Sequence, residues 1–139
     1  MNPILKNIIA VVLGWFIGSV VNMGLIVLGH SIFPIEGVDI NDTAALSEVM
    51  PTLEYNYFIF PFLAHALGTF VGATIAGMIA ANRKMTFAMV IGGLFFIFGI
   101  IAHNMISGPT WFTVFDLVAA YIPMAWLGGK LALKLSKKD

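Results

Sequence analysis

Five side chains bring polar chemistry into an otherwise apolar sequence: Asn22, His65, His103, Asn104 and Asp116. Imidazoles exchange protons near neutral pH and ligate metals. A carboxylate attracts a cation, orients an imidazole or joins histidines around zinc or iron. Carboxamides donate and accept hydrogen bonds without changing charge. The plainest case is FPFLAHALGTFVGATIAGMIAANRK, residues 60–84, apolar up to Asn82 except for His65 and two threonines. An ionisable residue in such a stretch is a candidate functional site.

The chain that must position these groups has 139 residues, 60% hydrophobic and 10% charged. A soluble domain is about a quarter charged, so the sequence reads as a single-domain integral membrane protein. Cysteine is absent, which excludes disulfides and thiol chemistry. No basic stripe lies outside the C-terminal tail, and no nucleic-acid partner is expected. The first apolar run, residues 8–28, exceeds a signal-peptide core of about 7–15 residues and reads as a retained span.

A bilayer core of about 30 Å needs about 20 apolar helical residues. Four segments qualify, approximately 4–29, 57–81, 86–106 and 111–133. The expected fold is an all-α bundle of four transmembrane helices. Tight turns lie at 81–85 and 107–110, the second broken by Gly108 and Pro109. The first connection, 30–56, is long; Asp42 suits an N-cap for a short helix at 43–50 that Pro51 ends. Pro61 is expected to remove one backbone donor and kink the second span.

Charge gives an orientation. Lys6, Arg83, Lys84, Lys130, Lys134, Lys137 and Lys138 fall on one side of the four spans. Glu36, Asp39, Asp42, Glu48 and Glu54 all lie in the long connection, and only Asp139 joins the basic side. The positive-inside rule then places both termini in the cytoplasm and the acidic connection outside. A bacterial inner membrane is the expected location.

Helices in lipid associate through close backbone approach. The second span carries Ala64, Gly68, Gly72, Ala76 and Ala80 at four-residue spacing; the first carries Ala10, Gly14 and Gly18, then Asn22. These stripes can face each other or another subunit, and a homo-oligomer or a larger membrane complex is expected. Simple packing explains them without any function.

At 1.5 Å per residue, His65 lies about 12 Å inside the outer end of its span and Asn22 about 10–11 Å inside the same end. His103, Asn104 and Asp116 lie near the outer ends of the third and fourth spans. The polar groups therefore gather in the outer half. Each also has a plainer reading: interhelical glue for Asn22 and His65, helix closure for His103 and Asn104, and a helix-dipole contact for Asp116.

Three function classes follow. The first is binding or transport of a small molecule, lipid or cation in an outward polar pocket beneath the acidic connection. The second is a structural or accessory subunit in which the polar groups only hold helices together. The third is a metal-dependent membrane enzyme using His65, His103 and Asp116, with His30 or Glu54 in reserve; no HExxH-type spacing supports it. No cofactor is expected. Small multidrug resistance transporters share the four-span plan, but they need a carboxylate in the first span, where this chain offers only Asn22; membership is not assigned.

Overall fold

The computed structural model describes residues 1–137; Lys138 and Asp139 lie outside the described residues. Helix α1 spans Pro3–Ile32. A short helix α2, Thr43–Val49, lies in the first connection. Then follow α3 (Ile59–Ile79), α4 (Lys84–Met105), α5 (Thr110–Ala119) and α6 (Ile122–Ser136). Four helical stretches are long and apolar enough to cross a membrane, with α5 and α6 together forming the fourth.

Local chemistry sets the helix ends. The Asn2 side chain accepts from Ile4 N, and Pro3 occupies the first position of α1, where its missing N–H is no loss. Asp42 caps α2 as its sequence suggests, accepting from the amides of Ala44 and Ala45. Pro61 is the third residue of α3, not an interior residue, because regular helix begins only at Ile59 after a 3₁₀ turn over Tyr55–Phe58. Proline costs little in a first turn, so Pro61 need not kink the helix as an interior proline would. Between α3 and α4, Arg83 adopts φ 43°. The Lys84 ammonium donates to the carbonyls of Gly77, Met78 and Ala80, satisfying the end of α3.

The fourth span is not the single helix read from 111–133. It breaks at Ala120 and Tyr121, just ahead of Pro123 near the start of α6. Proline has no N–H to give to residue 119, and its ring crowds that carbonyl. Tyr121 consequently turns inward and is 1% exposed.

Helix α3 is the centre of the bundle and touches α1, α4 and α6. The two small-residue stripes do face each other. A Cβ on Gly18 would lie 2.6 Å from the Gly68 carbonyl oxygen, and one on Gly14 2.7 Å from that of Gly72. Backbone meets backbone along this seam. The other interfaces use the same device: Gly92 lies against Ala125, and Gly128 against the carbonyl of Phe70. The core is correspondingly small-grained, built from Ala73, Ala76, Ala88 and Ala125 around Ile91 and Phe95. Close approach of this kind maximises dispersion contacts where lipid supplies no hydrophobic drive.

Candidate functional site

Asp116 occupies the second turn of α5 and is 0% exposed. A carboxylate taken out of water needs donors on its oxygens, and three side chains supply them. His65 Nδ1, from α3, lies 2.9 and 2.8 Å from the two carboxylate oxygens. His103 Nε2, from α4, lies 2.9 Å from Oδ2. Tyr121, released by the break in the fourth span, donates its hydroxyl to Oδ2 at 3.0 Å. The Thr113 hydroxyl lies 3.4 Å from the other nitrogen of His103. One carboxylate thus joins three of the four spans.

The rings are fixed by packing as well as by hydrogen bonds. Tyr121 stacks on His65 with centroids 5.7 Å apart and planes 26° apart. It fits because position 99 is glycine: a Cβ there would lie 2.5 Å from the tyrosine oxygen. His103 meets Phe112 edge-on at 5.7 Å. With Asp116 accepting, His65 Nδ1 and His103 Nε2 are donors, which directs His65 Nε2 away from the cluster.

A cavity of about 220 Å³ lies beside the cluster. All three histidines of the chain line it: His30 at the end of α1, with His65 and His103. Its remaining walls are mostly apolar. They include Ile26 from α1 and Phe33 just past its end, Pro61 from α3, Ala102 from α4 and Ile106 just past its end, and Phe112 from α5. The first connection forms the cover. It presents Ile35, Ile40, Leu46, Met50 and Leu53 to the cavity, while none of its acids is in the lining. The expectation of an acidic cover is therefore corrected to an apolar one. The cover is pinned across the bundle by Ser47, which donates to the Met105 carbonyl and accepts from Ser107 N, both at 3.2 Å.

The five residues singled out by type divide into two groups. His65, His103 and Asp116 are brought together. Asn22 sits on the α1–α3 seam against Gly68, where its Oδ1 is buried and has no partner among the described residues. Asn104 is exposed and donates to the Ile100 carbonyl one turn back. Neither asparagine lines the cavity. Tyr121 and Thr113 belong to the cluster but were not singled out. Pro123 and Gly99 were the available signals, one for a break and one for room beside it.

The carboxylate bonds the very imidazole nitrogens that face it. No group of three His, Asp or Glu side chains among the described residues is spaced to hold a metal ion. What the arrangement can do chemically is hold one imidazole in a set tautomer, present its second nitrogen toward an apolar space, and accommodate an added proton next to a carboxylate. No protein family, curated protein or solved structure matches the chain.

Proposed function

We propose that this multi-pass membrane protein binds a small amphipathic molecule in the outer half of its bundle, with the apolar body under the first connection and the polar head at His65. The observation that carries this reading is the cavity itself: an apolar chamber of about 220 Å³ whose polar lining includes every histidine in the chain. Ligand sites are mostly apolar with a few placed polar groups. A cavity of about 150 Å³ accepts benzene, so this one suits a ligand on the order of ten non-hydrogen atoms.

In this reading both termini are cytoplasmic and the chamber faces outward, in a bacterial inner membrane. The clustering of basic residues at one end supports it. Asn7, beside Lys6, bonds Asn82 and Ala81 in the α3–α4 turn, and Gly77 abuts Ala132 near the end of α6. Release back to the outer side is the simplest cycle, because Ala73, Ala76, Ala88, Ala125 and Ala132 close the inner half at 0% exposure. Transport across the membrane would require that seam to open or a second copy to complete a path.

The test is a thermal-shift panel of eight-carbon amphiphiles on wild type and Ala102→Phe. Ala102 lines the cavity, and its side chain is otherwise exposed, so phenylalanine fills the chamber without entering the core. Ligand-induced stabilisation of wild type that vanishes in Ala102→Phe supports the reading. Equal stabilisation of both proteins contradicts it.

A further inference from the structure

Resting on that binding reading, we infer that the ligand is a small lipophilic weak acid, held through its acid group at His65 and bound together with one proton.

The lining decides against a cation. Among the described residues no Asp, Glu, Lys or Arg lines the cavity; its polar side chains are His30, Tyr57, His65 and His103. Asp116 stands behind the imidazoles, 0% exposed, with its oxygens occupied by His65, His103 and Tyr121. A cation entering the chamber would lose its water and meet no carboxylate, a cost nothing there offsets.

The charge count favours an acid. One carboxylate contacts two imidazoles. The cluster therefore has one more proton-accepting imidazole than it has carboxylates. An entering anion adds one negative charge, and a proton on the second imidazole cancels it. The balance is anion plus proton plus site giving an electrically unchanged complex, equivalent to entry of the un-ionised acid from lipid. His65 is placed to receive that acid. Its Nδ1 is committed to Asp116, and its Nε2 has no hydrogen-bond partner among the described residues. The ring is 20% exposed and lines the chamber.

The groups that face this nitrogen's surroundings are few. Helix α1 contributes His30, the turn before α3 contributes Tyr57, and α4 contributes His103. Helix α5 contributes Asp116 and Thr113, and the break contributes Tyr121. The cover contributes only apolar side chains such as Leu46 and Met50. Asp116, across the His65 ring, is the one fixed charge near the acid, and the proton bound with the acid offsets its repulsion. The volume also separates a free acid from a bilayer lipid: about ten non-hydrogen atoms fit, not two acyl chains.

The experiment compares octanoate, octanol and octylamine, which share one apolar body. Full-length protein is titrated calorimetrically in phosphatidylcholine nanodiscs at pH 6, 7 and 8, with empty nanodiscs as blank. Two buffers of different ionisation heat count the protons. Octanoate is expected to bind at least tenfold more tightly than octylamine or octanol and to take up one proton. With one proton taken up per octanoate bound, its affinity falls by up to tenfold per pH unit as pH rises. The result that overturns the inference is octylamine or octanol matching octanoate, or octanoate binding with no proton uptake. In those cases the chamber still binds amphiphiles, and only the acid is refuted; binding by none of the three sinks both readings. His65→Gln keeps an amide for Asp116 but cannot take a proton. It should lose at least tenfold in octanoate affinity and the proton uptake, with octanol unchanged within twofold. Wild-type behaviour of this variant overturns the inference, and if it fails to fold the wild-type ranking and proton count decide alone.

Discussion

Replacing Asp116 by alanine removes the one acceptor shared by His65, His103 and Tyr121. Each donor left without a partner in a buried site costs about 1–3 kcal/mol. The three do not add fully, because His65 is 20% exposed and His103 11% exposed, so both recover some solvation. In membranes the unfolded helices also find partners, and interhelical hydrogen bonds average about 0.6 kcal/mol; three of these set a floor near 2 kcal/mol. Breaking a buried charge pair typically costs about 3–5 kcal/mol. The expected loss for Asp116→Ala is therefore about 3 kcal/mol. Asp116→Asn should cost roughly half as much. Its amide nitrogen can donate to one imidazole if that ring switches tautomer, while its oxygen still accepts from the others. The assay is reversible unfolding in mixed micelles against sodium dodecyl sulfate, followed by tryptophan fluorescence. Asn104→Ala is the control, expected within about 0.5 kcal/mol of wild type because Asn104 is exposed and bonds only its own helix. A loss below about 1 kcal/mol for Asp116→Ala, or one equal to that of Asn104→Ala, refutes the claim that the carboxylate ties the spans together.

Three further outcomes follow from the same geometry. Gly18→Ala should destabilise by about 1–3 kcal/mol in the same assay, since its Cβ would lie 2.6 Å from the Gly68 oxygen; Gly24→Ala, with nothing within 4 Å, should be neutral or slightly stabilising. Tyr121→Phe should lose about 0.5–1.5 kcal/mol, one hydrogen bond, without disturbing the aromatic contact with His65. Because the chain has no native cysteine, single Asn41→Cys and Ser136→Cys variants report orientation directly. An impermeant maleimide should label the first in intact cells and the second only after permeabilisation, and the reverse pattern would invert the proposed topology.

How much of this was legible in the sequence depended on whether helical periodicity held. The seam between α1 and α3 was readable because Ala10, Gly14 and Gly18 and their counterparts recur every four residues, and regular helices keep that face intact. His65 and Asp116 were visible as ionisable groups in apolar segments. His103 and Asn104 could not be separated by type alone. Adjacent residues on a helix point about 100° apart, so only one of them can face the carboxylate, and the contact belongs to His103. Tyr121 was hidden for the opposite reason. It stands five residues after Asp116, a spacing that an unbroken helix would turn away from the carboxylate. The break ahead of Pro123 resets the phase and brings the two together. The apolar cover was not legible because the five acids of the connection, unaccompanied by any Lys or Arg, drew the reading to its charge, whereas its fold points Leu46, Met50 and Leu53 inward.

The most direct measurement of the central claim is photolabelling with a diazirine-bearing eight-carbon acid in nanodiscs, followed by peptide mapping. Occupancy of the chamber predicts adducts on Leu46, Met50, Ala102 and Ile106, reduced by excess octanoate and absent from Ala102→Phe. Labelling confined to outward-facing side chains such as Val12, Phe16 and Val118, indifferent to competitor, would contradict it.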